Sequence, residues 1–128
     1  MTSLDKWAPH ALALLRIVAA LLFIAHGTGK LLGFPDLGFQ PGLFSLFGLA
    51  GVIEIAGGIL LILGLFTRPV AFILSGEMAV AYFMAHAPNG FFPVLNQGES
   101  AVLFCFIFLF LVFAGAGAWS LDGKRAAA

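Results

Sequence analysis

The three glutamates of this chain all lie in apolar runs: Glu54 in LFSLFGLAGVIEIAGGILLILGLF, Glu77 in VAFILSGEMAVAYFMAHA, and Glu99 at the head of ESAVLFCFIFLFLVFAGAGAW. A further run, ALALLRIVAALLFIAHGTGKLL, carries Arg16, His26 and Lys30. A bare charge at mid-bilayer costs roughly 3 kcal/mol on insertion scales, so such groups pair with one another or face a polar cavity. Carboxylates beside a lysine and a histidine can grip the polar head of an apolar molecule. They can also move protons, because histidine titrates near neutrality and a neighbouring charge holds a lysine or glutamate in its ionised form.

Composition dictates what holds these residues. The chain is 62% hydrophobic and 9% charged, with mean hydropathy +1.10 and 15 Phe in 128 residues, far from a soluble average. A hydrocarbon core of ~30 Å takes about 20 helical residues, and four runs have that length. None shows the charged opposite face of a soluble amphipathic helix. The expected fold is all-α: a membrane-embedded four-helix bundle, one domain over 1–128, with spans near 11–32, 44–66, 69–87 and 99–119. The connectors GFPDLGFQPG, Thr67-Arg68-Pro69 and PNGFFPVLNQG carry helix breakers. The first run reads as a retained span and not a cleaved signal, because Arg16 interrupts it, only Lys6 precedes it and it is too long.

Basic residues set the orientation. Lys6, Arg68, Lys124 and Arg125 fall at the N-terminus, the second loop and the C-terminus, which places both termini in the cytoplasm. His26, Lys30, His86, Asn96 and Glu99 then lie towards the external face, Glu54 and Glu77 near the middle, and Arg16 towards the cytoplasm. Arg16, Ala19, Phe23, His26 and Lys30 follow 3-4-3-4 steps, one stripe of a helix. Gly51, Glu54 and Gly58 share a face that permits close helix approach. Glu77 and His86, nine apart, fall on nearly opposite sides of a regular helix, whereas Tyr82 and His86 share one. For Arg16 and Glu77, a purely structural pairing that fixes helix register serves as well as ligand binding.

Other chemistry is excluded or weakly signalled. Zero net charge without a basic stripe argues against nucleic acid. One cysteine, Cys105, excludes an internal disulfide and any CxxC redox or metal pair, and its apolar setting suits an inert thiol. No metal site and no cofactor motif is expected. HGTGK lacks the upstream glycine and final Ser/Thr of a phosphate loop. His26 and His86 lie at similar depths on different spans, an arrangement open to axial haem ligation, although lone membrane histidines have commoner uses. The five Phe of the last span, Phe104, Phe106, Phe108, Phe110 and Phe113, spread around the helix and suit packing or lipid contact.

FIAHGTGKL after the first-span arginine, GVIEIAGGILLILGLFTRPVA, MAHAPNGFF, Gly98-Glu99 and the closing Ser120–Asp122 together resemble the DoxX family of small bacterial inner-membrane proteins. The likeness covers nearly the whole chain and is most specific over Glu54 to Ala71, E-x-x-G-G-x-x-L-x-x-G-x-x-x-R-P-x-A. The resemblance implies a four-helix membrane bundle linked to oxidoreductase systems, including thiosulfate:quinone oxidation and the response to oxidative stress, as a partner of other subunits. The leading functional expectation is a quinone-linked redox subunit, with the isoprenoid tail in an apolar cleft. Glu54, His26 and Lys30 would handle the head group: Lys30 stabilises a developing oxyanion and an acid or histidine supplies the proton. Arg16, Glu77, Tyr82, His86, Asn96 and Glu99 are the further ligand-binding candidates, with Glu99 at a helix N-terminus orienting Lys30. A redox protein supplies the electrons. The alternative is a non-catalytic module that binds lipid or scaffolds a soluble redox partner. A proton or ion path would need a homo-oligomer, since four helices leave little room for a pore.

The orientation has a direct test. In a Cys105→Ala background, cysteines at Gly42 and Asn89 should react with an impermeant thiol reagent on intact cells, and one at Ala127 should not; the reverse pattern overturns the topology.

Overall fold

The computed structural model describes residues 2–38 and 41–127. Among them every regular element is helical: α1 (Ala8–Leu32), α2 (Leu46–Leu63), α3 (Thr67–Ala81), the short α4 (Pro93–Asn96), α5 (Glu99–Ala114) and α6 (Leu121–Ala127). A π-helical stretch, Tyr82–His86, and a 3-10 turn, Ala87–Asn89, prolong α3. Three continuous segments, Asp5–Leu32, Leu46–Leu63 and Thr67–Asn89, are long and apolar enough to cross a membrane, and Glu99–Ala114 is a shorter apolar helix. Large apolar side chains cover the outside, Phe72, Phe83, Phe106 and Phe113 among them, as a lipid-facing surface requires.

Local chemistry sets the boundaries. Pro9 lies in the first turn of α1, where its missing N–H costs nothing. Gly33 (φ 73°) and Gly64 (φ 65°) end α1 and α2 in the left-handed region. Ser45 caps α2 by accepting the Gly48 amide at 3.1 Å. The last apolar run continues to Trp119, but α5 stops at Ala114, where Gly115 turns to φ 79°. Sixteen helical residues rise only about 24 Å, and residues 115–119 finish the run without helix.

Helix α1 packs chiefly on α2 and α3 on α5, while α2 meets α3 and α5 touches α1. The core between them is Ala20, Phe23, Leu61, Ala71, Leu74, Phe108 and Leu111, all essentially inaccessible. The Phe23 ring stands edge-on to Phe108 at 4.9 Å. Glycines let α1 and α2 close up. A Cβ on Gly27 would come within 2.8 Å of the Gly51 carbonyl and 2.7 Å of Ile55, and a Cβ on Gly57 within 2.9 Å of Leu74 on α3. Ser75 of α3 donates to the Cys105 carbonyl of α5 at 2.8 Å, a polar stitch between the other pair.

Because a side chain on Gly27 would meet backbone, Gly27→Leu should lower stability by about 1–3 kcal/mol or more through overpacking. Gly76 faces open space, and Gly76→Leu should change stability little. Thermal unfolding of both in one detergent decides this, and equal losses would contradict the packing.

Candidate functional site

Lys30 sits in the last turn of α1 with its stem against the α2 surface at Gly51. Its ammonium reaches both carboxylate oxygens of Glu54, at 2.7 and 2.9 Å. Glu54 is 1% exposed and Lys30 14%, so the charge that the sequence places mid-membrane is neutralised one helix away. Glu99, expected to orient Lys30, instead lies exposed in the first turn of α5. The correction follows from reach: Glu54 stands across the glycine contact from Lys30.

Beside this pair is a cavity of about 580 Å³, bounded by α1, α2, α3, the π-helical stretch, α5 and Leu37 of the first loop. His26, Lys30, Glu54, Glu77 and His86 line it, and its other walls are mostly apolar, with Ile53, Met78 and Phe104 prominent. His26 meets Phe104 edge-on at 5.9 Å. Both carboxylate oxygens of Glu77 are enclosed and meet no N–H or O–H donor from another described residue; the neighbouring carboxyl is Glu54, close enough to share a proton with Glu77, and Lys30 is the neighbouring cation.

Glu77 and His86 share this cavity despite their nine-residue separation. The π-helical Tyr82–His86 adds about one residue to a turn, removing about 100° from the angle between them. The π-helix was the signal missing from the sequence reading. His86 Nδ1 lies 3.1 Å from the Asn96 carbonyl. A carbonyl only accepts, so Nδ1 carries the hydrogen and Nε2 is the nitrogen left over.

Three other expected site residues are placed elsewhere. Asn96 is buried and knits the connection between α3 and α5: its amide donates to Gly90 O at 2.9 Å and Tyr82 Oη at 3.2 Å, and its Oδ1 accepts the Gly98 amide at 2.8 Å. Tyr82 belongs to that network and stacks on His86. Arg16 lies wholly buried at the opposite end of the helices. There it donates to the carbonyls of Ala116, Ala118 and Trp119. These contacts satisfy the non-helical backbone that follows α5, which lipid could not do. Gln97, Ser100 and Leu37 line the cavity without having been singled out from sequence, because nothing in their spacing marks them.

Arg16 is part of a clasp. Arg68 donates to the Val112 and Phe113 carbonyls at 2.9 and 2.7 Å, capping the end of α5. Asp122 accepts the Phe66 and Thr67 amides at 2.8 and 2.9 Å, capping the start of α3. His10 sits between Trp7 and Trp119, 5.4 and 5.1 Å from their ring centres. Partial burial pushes the Asp122 carboxyl up, but the amides of Thr67 and Phe66 and the Arg125 charge outweigh it and hold the group below its ordinary 3.8.

The DoxX family model matches residues 11–87. An uncharacterized protein of Haemophilus influenzae is 54% identical over 130 residues, covering 97% of each chain. An uncharacterized membrane protein of Mycobacterium tuberculosis is 32% identical, covering 94% of this chain and 86% of its own. The inner membrane protein YphA of Escherichia coli is 30% identical, covering 91% of each. No solved structure matches.

The clasp has a pH signature. Since the folded Asp122 pKa is depressed, its contribution is complete above the ordinary carboxylate value and is lost as pH falls through the folded one. Asp122→Ala should cost roughly 1–2 kcal/mol at neutral pH, as for other helix caps, and the gap from wild type should close on acidification. A gap independent of pH would show that the carboxylate does not act as the cap.

Proposed function

The chain belongs to the DoxX family of membrane proteins, and from that premise we propose that it is a ligand-binding subunit of a quinone-linked redox system in the bacterial inner membrane. In this reading the four long helices form a membrane bundle with both termini cytoplasmic. A quinone-like molecule places its head against His26, Lys30, Glu54 and Glu77, and its tail leaves between α2 and α3.

The observation that carries this is the cavity itself. Its volume, about 580 Å³, falls within the ~300–1,000 Å³ usual for small-molecule sites, and apolar walls with a few convergent polar groups are the usual composition. Lipid-facing side chains border it, Leu46 and Leu49 on α2, Val80 on α3 and Met84 beyond it, so a hydrophobic molecule can arrive from the bilayer. Reducing a quinone consumes two electrons and two protons. A partner protein supplies the electrons. His26 and Glu77 stand at the head as proton-bearing groups, and Lys30, its charge fixed by Glu54, steadies negative charge on the quinone oxygen. If the partner is absent, the same site remains a lipid- or quinone-binding module without activity of its own. The spending of Arg16, Arg68 and Asp122 on structure favours that second reading over a protein rich in catalytic charge.

Solvent extraction of protein purified from its own membranes should yield quinone above a detergent-only blank. Ala50→Trp, which fills the cavity from α2, should abolish the yield while thermal stability is kept, and His26→Ala should weaken binding of a short-chain quinone by roughly tenfold. No extracted quinone together with no saturable binding of the short-chain compound would sink the reading.

A further inference from the structure

We propose that Glu77 makes this cavity a cation-exchange site, which takes up a lipophilic cation in place of a proton. Two carboxyls face one ammonium here. Lys30 already engages both oxygens of Glu54, so the pair is neutral as a unit and leaves no net positive charge to balance Glu77. The carboxyl left over is Glu77, enclosed beside Glu54 and with no cation of its own among the described residues. Among the described residues, no lysine or arginine other than Lys30 lines the cavity.

An enclosed carboxyl in apolar surroundings needs a counter-charge, because an unpaired charge there is costly. A proton provides one. A cation with an apolar body provides another, and this cavity has the room and the walls for it: about 580 Å³ with Phe47 and Phe104 rings, Met78 and Met84. Aromatic faces and methionine sulfur both favour a large soft cation. When the cation enters, the Glu77 O–H bond breaks and the proton leaves for water. The charge in the cavity is unchanged and no redox step is involved.

The groups that share the cavity with Glu77 fix the pH dependence. They are His26 and Lys30 on α1, Glu54 on α2 and His86 on the π-helical stretch; α5 contributes only Ser100, Ala101 and Phe104. As pH falls, a proton competes with the cation for Glu77, so affinity should fall on acidification.

The inference rests on the cavity being a ligand site, as the quinone reading does, but it requires a charge that a quinone lacks. The test is titration of the protein in nanodiscs with tetraphenylphosphonium and with tetraphenylborate, its anionic counterpart, in weak buffer with a pH indicator. The expected result is saturable phosphonium binding with proton release, weaker at low pH, and no borate binding at the same site. Glu77→Gln should reduce phosphonium affinity by about tenfold or more and abolish proton release. Proton release by the wild-type protein is informative even if that variant does not fold. Phosphonium binding without proton release, equal binding of borate, or no phosphonium binding overturns the inference. If quinone still binds and Ala50→Trp still removes it, only the cation site has failed; if neither ligand binds, the quinone reading fails as well.

Discussion

Lys30 and Glu54 meet at 2.7 and 2.9 Å beside the close contact of α1 and α2 at Gly27 and Gly51, and the rest of the site depends on that pairing. A carboxylate 1% exposed in a lipid-facing chain is tolerable only with a counter-charge at hydrogen-bond distance. The glycines make the distance possible. They bring the helix backbones close enough for the Lys30 stem to lie on α2 at Gly51 while its ammonium meets Glu54. Once made, the pair is neutral as a unit and leaves the neighbouring Glu77 without a cation of its own.

The two ends of the helices divide the work. At one end, Arg16, Arg68 and Asp122 satisfy backbone groups exposed where α5 ends and α3 begins. The guanidinium of Arg16 is surrounded by carbonyls, and no part of this clasp opens on the large cavity. At the other end the polar groups line a space and are only partly used by the fold. Between them a layer of Phe23, Leu61, Leu74 and Phe108 is closed to solvent.

The helical character and the membrane class were legible because hydropathy and length leave few choices: apolar runs of about 20 residues with breakers between them. Burial of Glu54 on a glycine face followed from the 3.6-residue period alone. Three things did not follow. The partner of Lys30 depends on which helices touch, and sequence spacing within one helix says nothing of that, so Glu99 looked as good as Glu54. The convergence of His86 with Glu77 needs a π-helical turn, which has no sequence period of its own. The early end of α5 comes from backbone carbonyls taken by Arg16 and Arg68, two arginines distant in sequence. Gly115 and Gly117 were the visible signs, but they lie within an otherwise apolar stretch that reads as helix.

Removing the Lys30–Glu54 pair as a unit should cost the fold less than removing either partner alone. A double-mutant cycle measures this most directly, with thermal unfolding of Lys30→Met, Glu54→Gln and the double variant in nanodiscs. The account predicts that each single variant is destabilised by about 3–5 kcal/mol, because a buried charge loses its partner, and that the double variant recovers much of the loss. Single effects that are small, or that add without coupling in the double variant, would contradict it.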